Sequence, residues 1–301
     1  MELWIPITIA AAFCQNLRSA LQKHLRGRLS TGGATISRFL YAVPFALGYA
    51  AWLAVAGDHP LPAPGARFWL FATVGGAGQI VATALLVHLF SLRNFAVGTT
   101  YSKTEVIQTA LFGIVILGDP LRLGPGVGIV VSLIGVMAIS VARQDVSWRA
   151  LLLGWIERPA LIGLASGACF GLSAVSYRAA SLSLGGEGFV MQAAFTLAVV
   201  TVMQSLAMSL WLAVREPGEM TRVLRAWPVA GLVGLSGMVA SACWLTAMTI
   251  QNAAYVRALG QIELVFTFVA SVLIFRERSN AVEASGIALV IAGIVVLLLW
   301  R

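Results

Sequence analysis

Charge is what this sequence holds least of. Only 11% of its 301 residues are Asp, Glu, Lys or Arg, against roughly 25% in a soluble domain of ordinary composition. That deficit excludes a soluble globular fold, because apolar segments of about 20 residues recur along the whole chain. Cysteine is scarce too. Cys14, Cys169 and Cys243 fall inside apolar stretches with no CxxC and no Cys/His ligand spacing, which argues against a disulfide framework and a metal site and leaves them as small core residues. The opening MELWIPITIA lacks a basic n-region and a cleavage site and reads as a retained first helix. No nucleophile stands with a base, and Gly75, Gly76 and Gly78 follow nothing resembling a strand, so neither a membrane enzyme nor a dinucleotide cofactor is supported. No cofactor is expected.

What is present is apolar length. Hydrophobic residues make up 59% of the chain and the mean hydropathy is +0.89. The formal charge of +8 is spread singly or in short clusters between apolar runs, which excludes a nucleic-acid-binding domain. The chain reads as an all-α integral membrane protein with ten transmembrane helices, at about 3–22, 35–56, 67–91, 95–117, 123–142, 159–181, 188–214, 227–250, 252–275 and 281–300. GDHPLPAPGAR at 57–67, GDPLRLGP at 118–125 and REPGEMTR at 215–222 punctuate them. No loop is long enough to fold alone, so the chemistry belongs to the helical bundle.

A shift of 158 residues superimposes one half of the sequence on the other. Asn94 meets Asn252, Ala96 meets Ala254, Glu105 meets Glu263, Thr109 meets Thr267 and Ile116 meets Ile274; then Asp119 meets Glu277, Gly128 meets Gly286 and Gly135 meets Gly293. Shared apolarity explains matched leucines, not carboxylates matched at two depths along one helix. The halves, 1–145 and 146–301, hold five spans each. An odd number makes the second copy enter the membrane from the opposite side, so the expectation is two inverted five-helix repeats, the arrangement of secondary transporters.

Basic residues orient the chain. Alternate loops hold Lys23, Arg26, Arg28, Arg93, Arg143, Arg149, Arg158, Arg215, Arg222, Arg225, Arg276 and Arg278, whereas the other set holds Arg67, Arg122 and Arg301. The positive-inside rule places the first set in the cytoplasm and both termini outside.

Ionisable residues inside the spans stand out because an uncompensated charge at a helix centre costs roughly 2.5–3.5 kcal/mol. On continuous helices, Lys103 shares a face with Thr99, and Gln261 with Arg257, while Glu105 and Glu263 form another set with Thr109 and Thr267 one turn on. Two residues turn a helix by about 200°, so Lys103 and Glu105 do not neutralise each other. Partners are sought among Asn16, Arg18, Arg38, His88, Tyr177, Arg178 and Gln192. Glu105 and Glu263 either lock the bundle by pairing with Arg18, Arg178 or Lys103, or serve substrate and coupling protons, with His88 a third proton-coupling candidate. Lys103, Arg257 and Gln261 are candidates for anionic groups. Trp244 and Tyr255 either line an aromatic wall or pack in the core, and the glycines at 75, 76, 78, 231, 234 and 237 are read as close-packing positions.

ILGDPLRLGPGVGIVVSLIGVMAIS at 116–140 and IFRERSNAVEASGIALVIAGIVVLL at 274–298 resemble the acidic turn and Gly-rich last helix of the EamA-like branch of the drug/metabolite transporter superfamily. Lys23 and Arg38 resemble basic residues common in that family at the first helix end and second helix start. The resemblance implies a cavity lined by helices 1, 3, 4, 6, 8 and 9, alternating access, and a peripheral helix pair 5 and 10. It also implies termini inside, opposite to the charge count. The sequence departs from the pattern at Glu105 and Glu263, near which the family often carries proline.

The combined expectation is a bacterial inner-membrane transporter of a small polar or charged metabolite, amino-acid-like or an amine. Its substrate contacts would come from Glu105, Glu263, Lys103, Arg257, Gln261, Asn16, Arg18, Trp244, Tyr255 and Tyr101. The expected partners are that small molecule and membrane lipid, with no nucleic acid, as a monomer or homodimer. The competing expectation is a lipid-handling or structural membrane protein whose buried charges only pair internally.

Overall fold

The computed structural model describes residues 2–25, 28–89, 95–144, 156–186, 188–273 and 280–300. Asn94, Ile274 and Glu277 of the repeat, Arg26, Arg93, Arg149, Arg276, Arg278 and Arg301 of the loop count, and the IFRERS opening of the second signature stretch lie outside them. So do the side chains of Lys23, Ala96, Thr99 and Arg143.

Among the described residues the chain is helical, without strands: α1 (Trp4–Leu25), α2 (Thr31–Leu40), α3 (Val43–Val55), α4 (Ala66–Leu89), α5 (Phe95–Ser102), α6 (Glu105–Phe112), a π turn (Gly113–Leu117), α7 (Leu123–Gln144), α8 (Arg158–Ser183), α9 (Phe189–Arg215), α10 (Glu219–Arg225), α11 (Trp227–Ile250), α12 (Ala253–Leu259), α13 (Ile262–Leu273) and α14 (Ala281–Leu299). Local chemistry sets several starts. The side chains of Ser30, Asn252 and Asn280 accept from the backbone N–H groups of Gly33, Ala254 and Glu283, satisfying donors that an open helix end leaves bare. The π turn ends on Gly118 in the left-handed region at φ 68°, followed by Asp119 and Pro120.

Among the described residues, seven segments are long and apolar enough to cross a membrane: Thr31–Val55, Ala66–Leu86, Leu123–Ala142, Arg158–Ser183, Phe189–Arg215, Trp227–Ile250 and Ala281–Leu299. The ten expected spans are therefore not all met as continuous apolar helices. The span expected at 3–22 forms a 22-residue helix, α1, which carries Gln15, Asn16, Arg18 and Gln22 on its second half. Those expected at 95–117 and 252–275 are each interrupted.

The chain divides into two compact units that do not follow the sequence halves: Met1–Ala77 with Ser176–Ile250, and Gly78–Val175 with Gln251–Arg301. In the first, α9 packs against α2 and α3, and α11 against α1, α2 and α9. Ala46, Phe68, Ala72, Tyr177 and Leu197 belong to its buried core. The short α10 fastens this unit's edge. Buried Glu219 accepts from the Ser30 backbone N–H at 2.6 Å and from Arg222 at 2.9 Å, and the Tyr41 hydroxyl donates to the Val223 carbonyl at 3.1 Å.

In the second unit α7 and α14 run antiparallel in close contact. A Cβ on Gly128 would meet the Gly293 carbonyl at 2.6 Å, and one on Gly135 the Gly286 carbonyl at 2.6 Å, so the backbones approach only because both sides lack side chains. The 158-residue shift turns the first of these glycine pairs into the second. The other expected packing glycines divide. Gly75 lies against Tyr177, Gly76 against Val200 and Gln204, Gly78 against the Cys169 carbonyl, Gly234 against Tyr41 and Gly237 against Arg18, but Gly231 has no neighbour within 4 Å.

Candidate functional site

The two interruptions occur at matching places. Helix α5 ends in a turn at Lys103 and Thr104, where the Lys103 N–H bonds the Thr100 carbonyl and the Thr104 N–H the Tyr101 carbonyl, both at 3.1 Å. Helix α12 ends in a turn at Gly260 and Gln261, where the Gln261 N–H bonds the Ala258 carbonyl and the Glu263 N–H the Gly260 carbonyl, again at 3.1 Å. Bonds spanning three residues rather than four tighten the chain and end the α ladder. Neither site has a proline, so the breaks arise without the residue that the family often carries nearby.

A carboxylate opens the helix after each break. Glu105 is the first residue of α6 and Glu263 the second of α13, where the exposed N–H groups and the positive end of the helix dipole stabilise negative charge. Thr109 donates to the Glu105 carbonyl at 2.6 Å and Thr267 to the Glu263 carbonyl at 2.9 Å, so the repeat-matched threonines make matched bonds.

Each carboxylate is ion-paired across to the other broken helix. Arg257, on α12, donates to Glu105. Lys103, in the first break, stands 3.6 Å from Glu263. The expectation that Lys103 and Glu105 leave each other unpaired agrees with this geometry, although the 200° argument assumed a helix that is absent at 103–104. Of the expected cation partners, Lys103 is used. Arg178 donates instead to the carbonyls of Met248 and Thr249 in the first unit.

The remaining expected site residues separate by unit. Gln261 is buried beside its break, and among the described residues its side-chain oxygen has no hydrogen-bond partner. Tyr255, on α12, donates to the Pro120 carbonyl at 3.3 Å and accepts from the Arg122 N–H at 3.2 Å, which ties α12 to the segment after the π turn. Tyr101 is buried in a cluster with Ala160, Val141 and Leu164. His88 is exposed in the last turn of α4. In the first unit, half-buried Asn16 and buried Arg18 lie on α1; Arg18 and Arg38 both flank Gly237 of α11, and Trp244 donates to Gln15 at 3.1 Å. No cluster of His, Cys, Asp and Glu suited to a metal ion occurs among the described residues.

Residues 158–299 match the EamA-like transporter family. The match is confined to the second half of the sequence. A solved crystal structure of a protein covers 99% of this chain and 96% of its own length at a TM-score of 0.72 and 17% identity, so the fold has a known counterpart over nearly the whole chain. No curated protein matches the chain.

The matched stretch also contains glycines, unremarked in the sequence, that shape the first break. Gly163, Gly167 and Gly171 of α8 recur every fourth residue, on one helical face, and that face receives the α5–α6 break. A Cβ on Gly163 would collide with the Gly98 carbonyl. One on Gly167 would meet the Ser102 carbonyl at 2.9 Å and the Glu105 nitrogen at 3.3 Å, and one on Gly171 the Thr109 nitrogen at 3.0 Å. The signal was the four-residue glycine period in IGLASGACFG.

Proposed function

We propose that this protein is a secondary transporter of the bacterial inner membrane that exports a small polar or charged metabolite, amino-acid-like or an amine, by alternating access. Ten spans in two inverted five-helix repeats, 1–145 and 146–301, would form the machine, with the ligand held near mid-bilayer depth. The observation that carries this reading is the pair of unbroken-by-proline interruptions at Lys103–Thr104 and Gly260–Gln261, each next to a carboxylate and a cation. Interrupted helices in a transporter free backbone groups and place charge where a solute must be recognised. Two carboxylates and two cations within one unit offer a zwitterion both signs, which a purely lipophilic cation would not need. Of the three proton-coupling candidates, Glu263 and His88 are proposed for that role and Glu105 for holding its ion pair, while Asn16, Arg18 and Trp244 belong to the other unit.

A second reading is favoured by the same ion pairs: charges that neutralise one another need no substrate, and the protein would be a lipid-handling or structural one. Flux separates the two. Purified protein in proteoliposomes is assayed with amino acids, amines and organic acids, and Glu105→Gln and Glu263→Gln are compared with wild type between about pH 5.5 and 8. Transport is expected to fall, or its pH dependence to shift, in both variants while insertion persists. Wild-type flux in both across that range removes these carboxylates from coupling.

A further inference from the structure

The carboxylates obey the repeat and their cations do not. Shifting by 158 residues carries Glu105 onto Glu263, but Lys103 onto Gln261, and Thr99 onto Arg257. The two cations therefore stand one helical turn apart in the two copies. Their settings differ as well. Arg257 and Glu105 have side chains 18% and 13% exposed and are in hydrogen-bond contact, whereas Lys103 and Glu263 are 36% and 18% exposed and separated by 3.6 Å, beyond a hydrogen bond. Glu105 is anchored from behind, its backbone nitrogen and carbonyl lying against Gly167 and Gly171. Arg257 sits on α12, which packs against α6, α7 and α14. Lys103, by contrast, lies in the turn itself, on a flexible four-carbon stem. It is also one of only two lysines in a chain with 20 basic residues, the other being Lys23.

We propose that the two ion pairs divide the work: Arg257–Glu105 is a fixed staple holding the two broken helices together, and Lys103–Glu263 is the pair that the transported zwitterion opens, its carboxylate taking Lys103 and its ammonium group Glu263. This rests on the transport reading above. The contact that a largely covered guanidinium makes with an anchored carboxylate is costly to break, because losing either partner leaves the other charged and mostly withdrawn from water. A half-buried ammonium at 3.6 Å, the more accessible of the two cations, loses little when an equivalent carboxylate replaces Glu263, so exchange of partners there needs no rearrangement of the staple.

Two measurements on the full chain in detergent test the division. In double-mutant cycles read by thermal unfolding, Arg257→Gln and Glu105→Gln are expected each to lower Tm by about 3 °C or more and to be strongly non-additive, while Lys103→Gln and Glu263→Gln shift it by less than about 1 °C. If Arg257→Gln yields no folded protein, Arg257→Lys supplies the first cycle, with a smaller loss in the same direction. In the second measurement an acetylating amine reagent is followed by mass at Lys103 and Lys23, with an equimolar mixture of the twenty proteinogenic amino acids as probe. At three times the dissociation constant of a bound component only a quarter of sites stay open, so Lys103 acetylation falls about fourfold relative to that of Lys23, the ratio cancelling the reagent that the amino acids themselves consume. Equal coupling in the two cycles overturns the proposal, as does unprotected Lys103 in protein that transports the mixture. Protein that transports none of the mixture, with Lys103 unprotected, refutes the amino-acid reading and the ligand half of the proposal together, and the flux assay shows which has failed.

Discussion

Arg257 and Glu105, 152 residues apart in sequence, meet where two helices are interrupted. The guanidinium comes from the last turn of α12 and the carboxylate from the first residue of α6. Both positions suit the charges they carry, since a cation stabilises a helix C-terminus and an anion an N-terminus. The ion pair therefore adds to two favourable helix ends rather than opposing them.

That arrangement depends on α8 coming close enough to seat the break. Gly163→Leu is expected to be severely destabilising, by more than the 1–3 kcal/mol typical of overpacking, because the obstacle is the Gly98 backbone and cannot rotate away. Gly171→Leu acts through the Thr109 backbone in the same sense. Gly231→Ala is the control, with nothing within 4 Å of the added carbon. Thermal unfolding in detergent, followed by reaction of Cys14, Cys169 and Cys243 with a fluorogenic maleimide, reads all three. Equal midpoints for Gly163→Leu and Gly231→Ala would refute the packing role.

The breaks themselves were not legible in the sequence, and the reason is local. TYSKTE and RALGQIE contain no proline, and a hydropathy window averages across the two or three residues that leave the helix. The glycine pairs of α7 and α14 were legible because apolar character alone does not force Gly128 and Gly135 to recur at 286 and 293. Matched carboxylates were legible for the same reason; of their partners Lys103 was among those expected and Arg257 was not, since the cations ignore the repeat. Tyr101, expected as a substrate contact, packs with Ala160 and Leu164.

The α7–α14 contact leads to a second stability test. Gly135→Val places branched carbon against the Gly286 carbonyl and Val290, and Gly286→Val meets the Gly135 carbonyl and Ile139. Each is expected to lower the unfolding midpoint, by about 1–3 kcal/mol in stability. Ile134→Leu and Val295→Ile lie on exposed faces of the same helices and should change it little. Because both glycines sit at one crossing, the double variant should be non-additive. Additive losses would mean that the two positions do not share a contact.

At the edge of the first unit, Glu219 holds two donors at once. Glu219→Ala removes the acceptor of the Ser30 N–H and the ion pair to Arg222, and is expected to cost about 1–3 kcal/mol. The effect should be local first. Amide hydrogen exchange at Ser30–Gly33, the start of α2, is expected to accelerate before that of α9, whose buried face does not depend on this carboxylate. Uniform acceleration across the unit would instead make Glu219 part of its core stability.

Tyr255 offers the mildest test, and one that separates packing from recognition. Its hydroxyl joins the Pro120 carbonyl to the Arg122 N–H, so Tyr255→Phe deletes two long hydrogen bonds while leaving the ring in place. A stability loss of about 0.5–1.5 kcal/mol is expected, together with faster exchange of the Arg122 amide. If the hydroxyl serves only to tie α12 to the segment after the π turn, the affinity of the protein for any transported amino acid stays at the wild-type value. A change in the flux KM that exceeds the stability effect, with Arg122 exchange unaltered, would move Tyr255 from the scaffold to the ligand.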